Sequence, residues 1–207
     1  MLKAIKLVFK NLSNDTNNSQ VYIYQRNVVA SQAELPVAWK VIERCGKGDT
    51  NSFDFPLNME VGVTDSYNNT TPLLPAVPGE SFEVVLDKSG DVLQQLGNAT
   101  DPNEVQINNN MTTGAFCGGI YKAGKLLAHK TGVYPGSMAS FKFKPSIWIG
   151  AASQVVEGEV MNSAVLTQTN KEFSLEGIAS ASLVMYGGGI GKDAQPLTFS
   201  IEDVVYS

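Results

Sequence analysis

Residues 21–44, VYIYQRNVVASQAELPVAWKVIER, are the densest block of aromatic and β-branched residues in the chain. Apolar residues alternate in both halves of this stretch, which predicts two strands joined by a longer polar connection. Large side chains occupy both faces of the first strand, where Tyr22 and Tyr24 alternate with aliphatic residues. We therefore expect a central place in a two-layer structure, with Trp39 and the two tyrosines in the core packing.

The same period of two recurs along most of the remaining sequence, beginning at Ile5, Leu7 and Phe9. It predicts an all-β protein, a two-sheet antiparallel β-sandwich of the jelly-roll or immunoglobulin-like type. At most one short helix is expected, near residues 89–97, where Val92, Leu93 and Leu96 cluster ahead of a terminating glycine. No repeat or composition break marks a linker, so residues 1–207 are predicted to form a single all-β domain.

Composition limits the classes of partner. The formal net charge of −5 argues against nucleic acid, because phosphate binding needs clustered Lys and Arg. Cys45 and Cys117 have no zinc or redox spacing and are predicted to be free thiols. The first residues alternate instead of forming an apolar signal segment, and no later segment is long enough to span a bilayer. A cytoplasmic location is the default expectation, and export without a cleaved signal stays open.

Known catalytic motifs are missing from the sequence. His129 is the only histidine, and no G-x-S-x-G motif presents a nucleophile. The glycine run YGGGIGKD at residues 186–193 does not fit the phosphate-loop spacing and predicts a hairpin or bulge loop. Acidic clusters at residues 49–54 and 101–104 match turn chemistry better than a calcium loop. We expect no enzyme activity, no metal and no cofactor.

Charge is unevenly distributed along the chain. No acidic residue lies between Glu104 and Glu157, an interval that contains five lysines, whereas acidic residues outnumber lysines after it. If the basic side chains share a face, they form a surface that attracts anions. The candidate ligand-binding residues are Lys122, Lys125, His129, Lys130, Lys142 and Lys144.

These features predict a non-enzymatic binding or interaction protein, with an anionic glycan or a host or cell-surface partner as its ligand. One alternative is a self-assembling structural protein, a homo-oligomer in which the basic middle region of one copy contacts the acidic C-terminal region of another. A second alternative is a hydrolase with a carboxylate pair, which needs only two acidic groups about 5 to 10 Å apart.

Three short segments carry a family resemblance: VYIYQ, LPVAWKVIERC and KPSIWIGAASQVVEGEVMNS. They resemble the bacterial proteins grouped with the rhizosphere-expressed protein RhiA, in which a Tyr-Gln strand precedes an Ala-Trp strand and a Trp-containing segment recurs late. The resemblance implies a small β protein of bacteria that live against a host or surface, with no catalytic residues to carry over. The matching residues are Tyr24, Gln25, Ala38, Trp39, Trp148 and Gly150.

Overall fold

The structure, a computed structural model, describes residues 4–31, 34–88 and 90–207. Within these ranges the chain forms sixteen strands, a four-residue helix and a 3₁₀ turn at Gly191–Asp193, which confirms the all-β class. The elements are β1 (Ala4–Asn11), β2 (Gln20–Tyr24), β3 (Lys40–Ile42), β4 (Thr50–Pro56), β5 (Met59–Thr64), β6 (Leu74–Ala76), β7 (Glu80–Asp87), β8 (Gly90–Asn98), β9 (Val105–Asn109), β10 (Phe116–Lys122), β11 (Lys125–Val133), β12 (Met138–Phe141), β13 (Ser146–Ala152), α1 (Ser163–Leu166), β14 (Asn170–Ser174), β15 (Ile178–Gly188) and β16 (Gln195–Tyr206).

The chain divides into two compact units. Unit 1 comprises the described residues of Met1–Gln25, Val37–Leu57 and Pro145–Ser207, and unit 2 those of Arg26–Pro36 and Asn58–Lys144. Each unit holds two four-stranded sheets: β16-β15-β1-β4 and β14-β13-β2-β3 in unit 1, and β11-β10-β5-β6 and β12-β9-β7-β8 in unit 2.

The predicted two-sheet antiparallel arrangement is not confirmed. The strands form four sheets, and two pairs, β1 with β15 and β7 with β9, run parallel. Alternation along a strand reports which side chains share a face, but it carries no information on the neighbouring strand or its direction. That residues 1–207 form a single domain stays a prediction.

The stretch at residues 21–44 supplies β2 and β3, which pair antiparallel with Tyr22 opposite Val41. β2 also pairs with β13, so it occupies the central position that its two-sided bulk predicts. Trp39 is 3% exposed, and its ring contacts the Phe55 ring edge-on with centroids 5.2 Å apart. Because Phe55 lies on β4, in the other sheet of unit 1, this contact packs the two sheets together. The predicted core role of Trp39 is confirmed.

One face of β2 and β13 carries a row of aromatic rings. Tyr22 and Tyr24 stack with centroids 6.0 Å apart, and Tyr24 stacks on Trp148 at the same distance. Tyr22 lies opposite Gly150, where an added Cβ would overlap the Cζ and Oη atoms of the tyrosine. The glycine therefore provides the space for the ring.

The connection between β13 and β14 packs over this row. Val155, Met161 and Val165 are buried in one cluster with the tyrosines. Tyr22 Oη donates to the Val165 carbonyl oxygen at 3.2 Å, and Asn162 Oδ1 accepts the Val165 N–H at 2.9 Å at the start of α1. The aromatic face is therefore a second small core within unit 1.

The predicted helix near residues 89–97 is wrong. Residues 90–98 form β8, which pairs antiparallel with β7 and places Leu93 opposite Val84. The sequence offers Asp91 or Ser89 as the cap of such a helix, and Ser89 lies outside the described residues. A run such as VLQQL satisfies either period, and a strand pair that buries Leu93 outweighs a helix of one or two turns.

Two smaller predictions are confirmed. Gly187 and Gly188 of the glycine run lie in the hairpin of β15 and β16. Gly188 has φ 78°, and a Cβ there would lie 2.7 Å from the backbone nitrogen of Asp15, so the position requires glycine. Cys45 and Cys117 are both free thiols.

Candidate functional site

The hairpin of β10 and β11 carries four of the six predicted basic residues. Ala123 and Gly124 form its turn with φ values of 50° and 71°. Positive φ at both central residues is what the type I′ two-residue hairpin turn requires. The register places Lys122 directly opposite Lys125, His129 opposite Gly119 and Lys130 opposite Gly118. Four of the six residues thus lie on one hairpin of unit 2, but His129 and Lys130 are adjacent along β11 and point to opposite faces. A shared ligand-binding face stays a prediction.

Lys122 and Lys125 flank the hairpin turn but differ in environment. Lys125 is exposed, whereas Lys122 is only 4% exposed. Burial disfavours the charged ammonium and lowers the pKa of Lys122 to about 8. Glu60 Oε2 accepts the backbone N–H of Gly124 at 3.0 Å, so a carboxylate oxygen already lies at the turn.

Lys130 is held by an acidic residue that sequence reasoning did not include. Its Nζ forms an ion pair with Glu34 Oε1, which also accepts a hydrogen bond from Ser31 Oγ at 3.1 Å. Partial burial raises the pKa of Glu34, but hydrogen bonds from Lys130 and Ser31 bring it below its usual range. Glu34 thereby neutralises Lys130 within unit 2.

His129 is half-buried beside this pair. Burial lowers the pKa of His129, and the Glu34 carboxylate partly opposes that shift. At neutral pH the imidazole is therefore mostly uncharged, and it adds little positive charge to the hairpin.

Lys142 and Lys144 follow β12, outside the hairpin. Lys142 Nζ lies 3.0 Å from Asp101 Oδ2. The backbone N–H of Asn103, together with Lys142, lowers the pKa of Asp101. Lys144 is exposed. Two of the six predicted residues are exposed, Lys125 at the hairpin turn and Lys144 after β12. Lys130 and Lys142 are in ion pairs.

In the β11-β10-β5-β6 sheet, glycines on neighbouring strands lie side by side beneath a tyrosine ring, an arrangement that the sequence did not predict. Gly119 lies directly opposite Gly62. A Cβ added at Gly119 would lie 2.9 Å from Cε2 of Tyr121, whose ring also extends over Gly62. Burial raises the pKa of the half-buried Tyr121, and a hydrogen bond with the Thr64 side chain partly opposes that shift. The available signal was the presence of glycines inside two predicted strands, Gly62 in β5 and the pair Gly118 and Gly119 in β10.

Both acidic clusters considered for calcium are engaged in turn hydrogen bonds. Asp49 Oδ2 accepts the Gly46 N–H at 2.9 Å, and Asp101 Oδ1 accepts the Asn103 N–H at 2.8 Å. Across residues 4–31, 34–88 and 90–207, no group of three or more His, Cys, Asp or Glu side chains could hold a metal ion.

The fold and the hairpin define an all-β protein with a basic residue pair at one turn. The family model described as RhiA matches residues 3–188, and the chain therefore belongs to the RhiA family. No curated protein and no solved structure matches the chain.

The part of the chain that the structure describes contains no helix long and apolar enough to cross a membrane.

Proposed function

We propose that the protein is a non-enzymatic binding protein that recognises the anionic groups of an acidic glycan at the turn of the β10–β11 hairpin. The observation that carries this proposal is the direct opposition of Lys122 and Lys125 across the strand pair. Like charges opposite each other in a sheet are destabilising, and an anion beside them reduces that repulsion.

Burial of Lys122 strengthens the argument. A lysine with a pKa of about 8 holds its proton weakly, and a bound sulfate or carboxylate would stabilise the protonated form. Anion binding should therefore be coupled to proton uptake and should weaken as the pH rises through about 8.

The exposure of Lys125 and its register with Lys122 support the turn as the proposed site. Lys130 and Lys142 already have Glu34 and Asp101 as acidic partners, so a ligand anion would compete with these carboxylates. Lys125 is exposed beside the turn, so a ligand can reach its ammonium from solvent, and we expect it to make the main ionic contact.

The test is binding of a sulfated oligosaccharide, measured by calorimetry at low salt with neutral dextran oligomers as the comparison ligand. Lys125→Glu should weaken binding of the sulfated ligand by at least about 10-fold, since it reverses a charge at the contact. The matched control is Lys88→Glu, the same charge change at an exposed position after β7 in the same unit.

If both variants lose affinity equally, the effect comes from net charge and not from a site at the turn. If Lys125→Glu binds the sulfated ligand as tightly as wild type, the hairpin turn is not the binding site. Equal affinity for dextran would exclude anion recognition. If a ligand screen finds binding only to a protein, the ligand is a host or cell-surface protein and not a glycan.

The electrostatic self-assembly alternative has fewer available charges than the sequence indicates. Lys130 and Lys142 of the basic region pair with Glu34 and Asp101, and Asp203 of the acidic region lies 2.8 Å from Lys10. That alternative and the carboxylate-pair hydrolase stay predictions.

A further inference from the structure

β8 is an edge strand, since the order of its sheet is β12-β9-β7-β8. The backbone groups on its outer side point away from β7 at alternate residues, and no strand of residues 4–31, 34–88 or 90–207 pairs with them. Residues 90–95 pair regularly with β7, and a bulge follows between the Phe82–Gln95 and Ser81–Gly97 pairs. The regular part spans about 20 Å at roughly 3.4 Å per residue.

Other edge strands of unit 2 are protected against pairing with a further strand. β11 carries Lys125, His129 and Lys130, β6 has only three residues with Pro75 at its centre, and β12 has only four residues. Charged side chains, proline and short length are the features that block edge-to-edge association.

The edge strands of unit 1 have protection of the same kinds. β3 is three residues long, β4 ends in Pro56, and β14 carries Lys171 and Glu172. β16 contains irregular pairing and Asp203 with φ 49°.

β8 has neither a proline nor a lysine, and Asp91 is its only charged residue. Two large apolar side chains lie next to its regular part, Leu86 on β7 at 63% exposed and Leu96 at 50% exposed. An exposed, nearly uncharged edge of this length favours addition of another strand.

The sequence of β8 is complementary to itself in one antiparallel register. With Leu93 opposite Leu93 of a second copy, Asp91 lies opposite Gln95 and Val92 opposite Gln94. No like charges face each other in this register, and the single charge of each copy lies opposite a neutral amide. Gln94 and Gln95 also donate to Glu83 and Glu80 at 2.7 and 2.9 Å, so the adjacent β7 carboxylates are hydrogen-bonded.

We propose that two copies of this chain associate through β8, antiparallel and centred on Leu93, so that the β12-β9-β7-β8 sheets of the two copies form one eight-stranded sheet. This contact closes on itself with two-fold symmetry and therefore yields a dimer instead of a filament. It is independent of the proposed anion site on the other sheet of unit 2.

The test is sedimentation equilibrium of the full chain from micromolar to millimolar concentration. Gln95→Glu places a carboxylate opposite Asp91 of the second copy at both ends of the contact, and it should weaken dimerisation about 10-fold. The matched control is Gln94→Glu, which loses the equivalent hydrogen bond to a β7 glutamate but lies opposite Val92. It should change dimerisation less than about 3-fold.

A charge exchange tests the register directly. Adding Asp91→Lys to Gln95→Glu turns the repulsive pairs into attractive ones and should restore the wild-type dimer or strengthen it. Circular dichroism establishes that each variant is folded. A wild-type chain that remains monomeric at millimolar concentration overturns the proposal, as does a dimer that both glutamate variants weaken equally or that the charge exchange does not restore.

Discussion

Both units place a tyrosine ring over a strand glycine, but only one of them covers the ring. In unit 1, Tyr22 lies opposite Gly150 and is fully buried under the connection that contains α1. In unit 2, the ring of Tyr121 lies over Gly119 and Gly62 and is half-buried. Similar strand chemistry thus produces a fully buried ring in one unit and a half-buried ring in the other.

The two units also bury different ionisable groups. Burial raises the pKa of Tyr22 in unit 1 to about 12 and lowers the pKa of Lys122 in unit 2 to about 8. The tyrosine is buried in its neutral form at physiological pH, whereas the lysine is buried close to its titration point. The protonation state of Lys122 therefore responds to pH near neutrality and to a nearby anion, whereas that of Tyr22 does not.

The largest effect should come from removing the covered ring. Tyr22→Ala should lower the free energy of unfolding by about 3 to 5 kcal/mol, since it empties a fully buried site. Tyr121→Ala should lower it by about half as much, because water already reaches part of that ring. Urea denaturation measures the free energy of unfolding of both variants. Equal decreases would show that the segment covering Tyr22 contributes nothing to stability.

Lys122→Met should stabilise the protein below pH 8 by up to about 3 kcal/mol, the free energy of a pKa lowered from 10.5 to about 8. Below pH 8 the lysine holds a proton in both states, and the folded state bears the full desolvation penalty. Between pH 8 and 10.5 only the unfolded chain retains the proton, so wild-type stability rises with pH and the advantage of the variant disappears.

Urea titrations at pH 6.5 and 10 measure this difference, with the exposed Lys125→Met as the control. A stability difference between wild type and Lys122→Met that stays constant with pH would contradict the lowered pKa.

Gly150→Ala should destabilise the protein by about 1 to 3 kcal/mol, because its Cβ would overlap the buried Tyr22 ring. Gly119→Ala should have an effect of less than about 1 kcal/mol, since the half-exposed Tyr121 ring and Leu126 can shift away. Adding Tyr22→Phe to Gly150→Ala should recover part of the loss, because Oη is one of the overlapping atoms. Strict additivity in thermal melts would contradict the overlap.

The smallest effect is the alkaline response of unit 1. Between pH 10 and about 12 the unfolded chain ionises its tyrosine while folded Tyr22 stays neutral, so stability falls as pH rises. From pH 10 to 11 this contribution is about 1 kcal/mol. Tyr22→Phe should lose less stability than wild type over that interval in urea titrations. Parallel losses in the two proteins would show that Tyr22 ionises normally.

The amino-acid sequence was sufficient to predict the strand content, the central position of β2 and the buried Trp39, because alternation and residue type act within a few residues. It was also sufficient to place four basic residues on one hairpin, since the Ala123–Gly124 turn joins the two strands that carry them.

Other features depended on contacts between distant residues. Glu34 and Lys130 are 96 positions apart and Asp101 and Lys142 are 41 apart, and neither pairing leaves a local signal. The difference between the predicted helix and the observed strand β8 has the same origin. The strand forms because it pairs with β7, and the short sequence by itself does not reveal that partner.

The sequence by itself thus determined an all-β chain of the RhiA family and the basic character of one hairpin. Only the tertiary structure decided the division into four sheets, the burial of Lys122, the ion pairs of Lys130 and Lys142, and the exposed edge at β8. Side-chain periodicity encodes which residues face inward, whereas the identity of each neighbouring strand is a property of the whole folded chain.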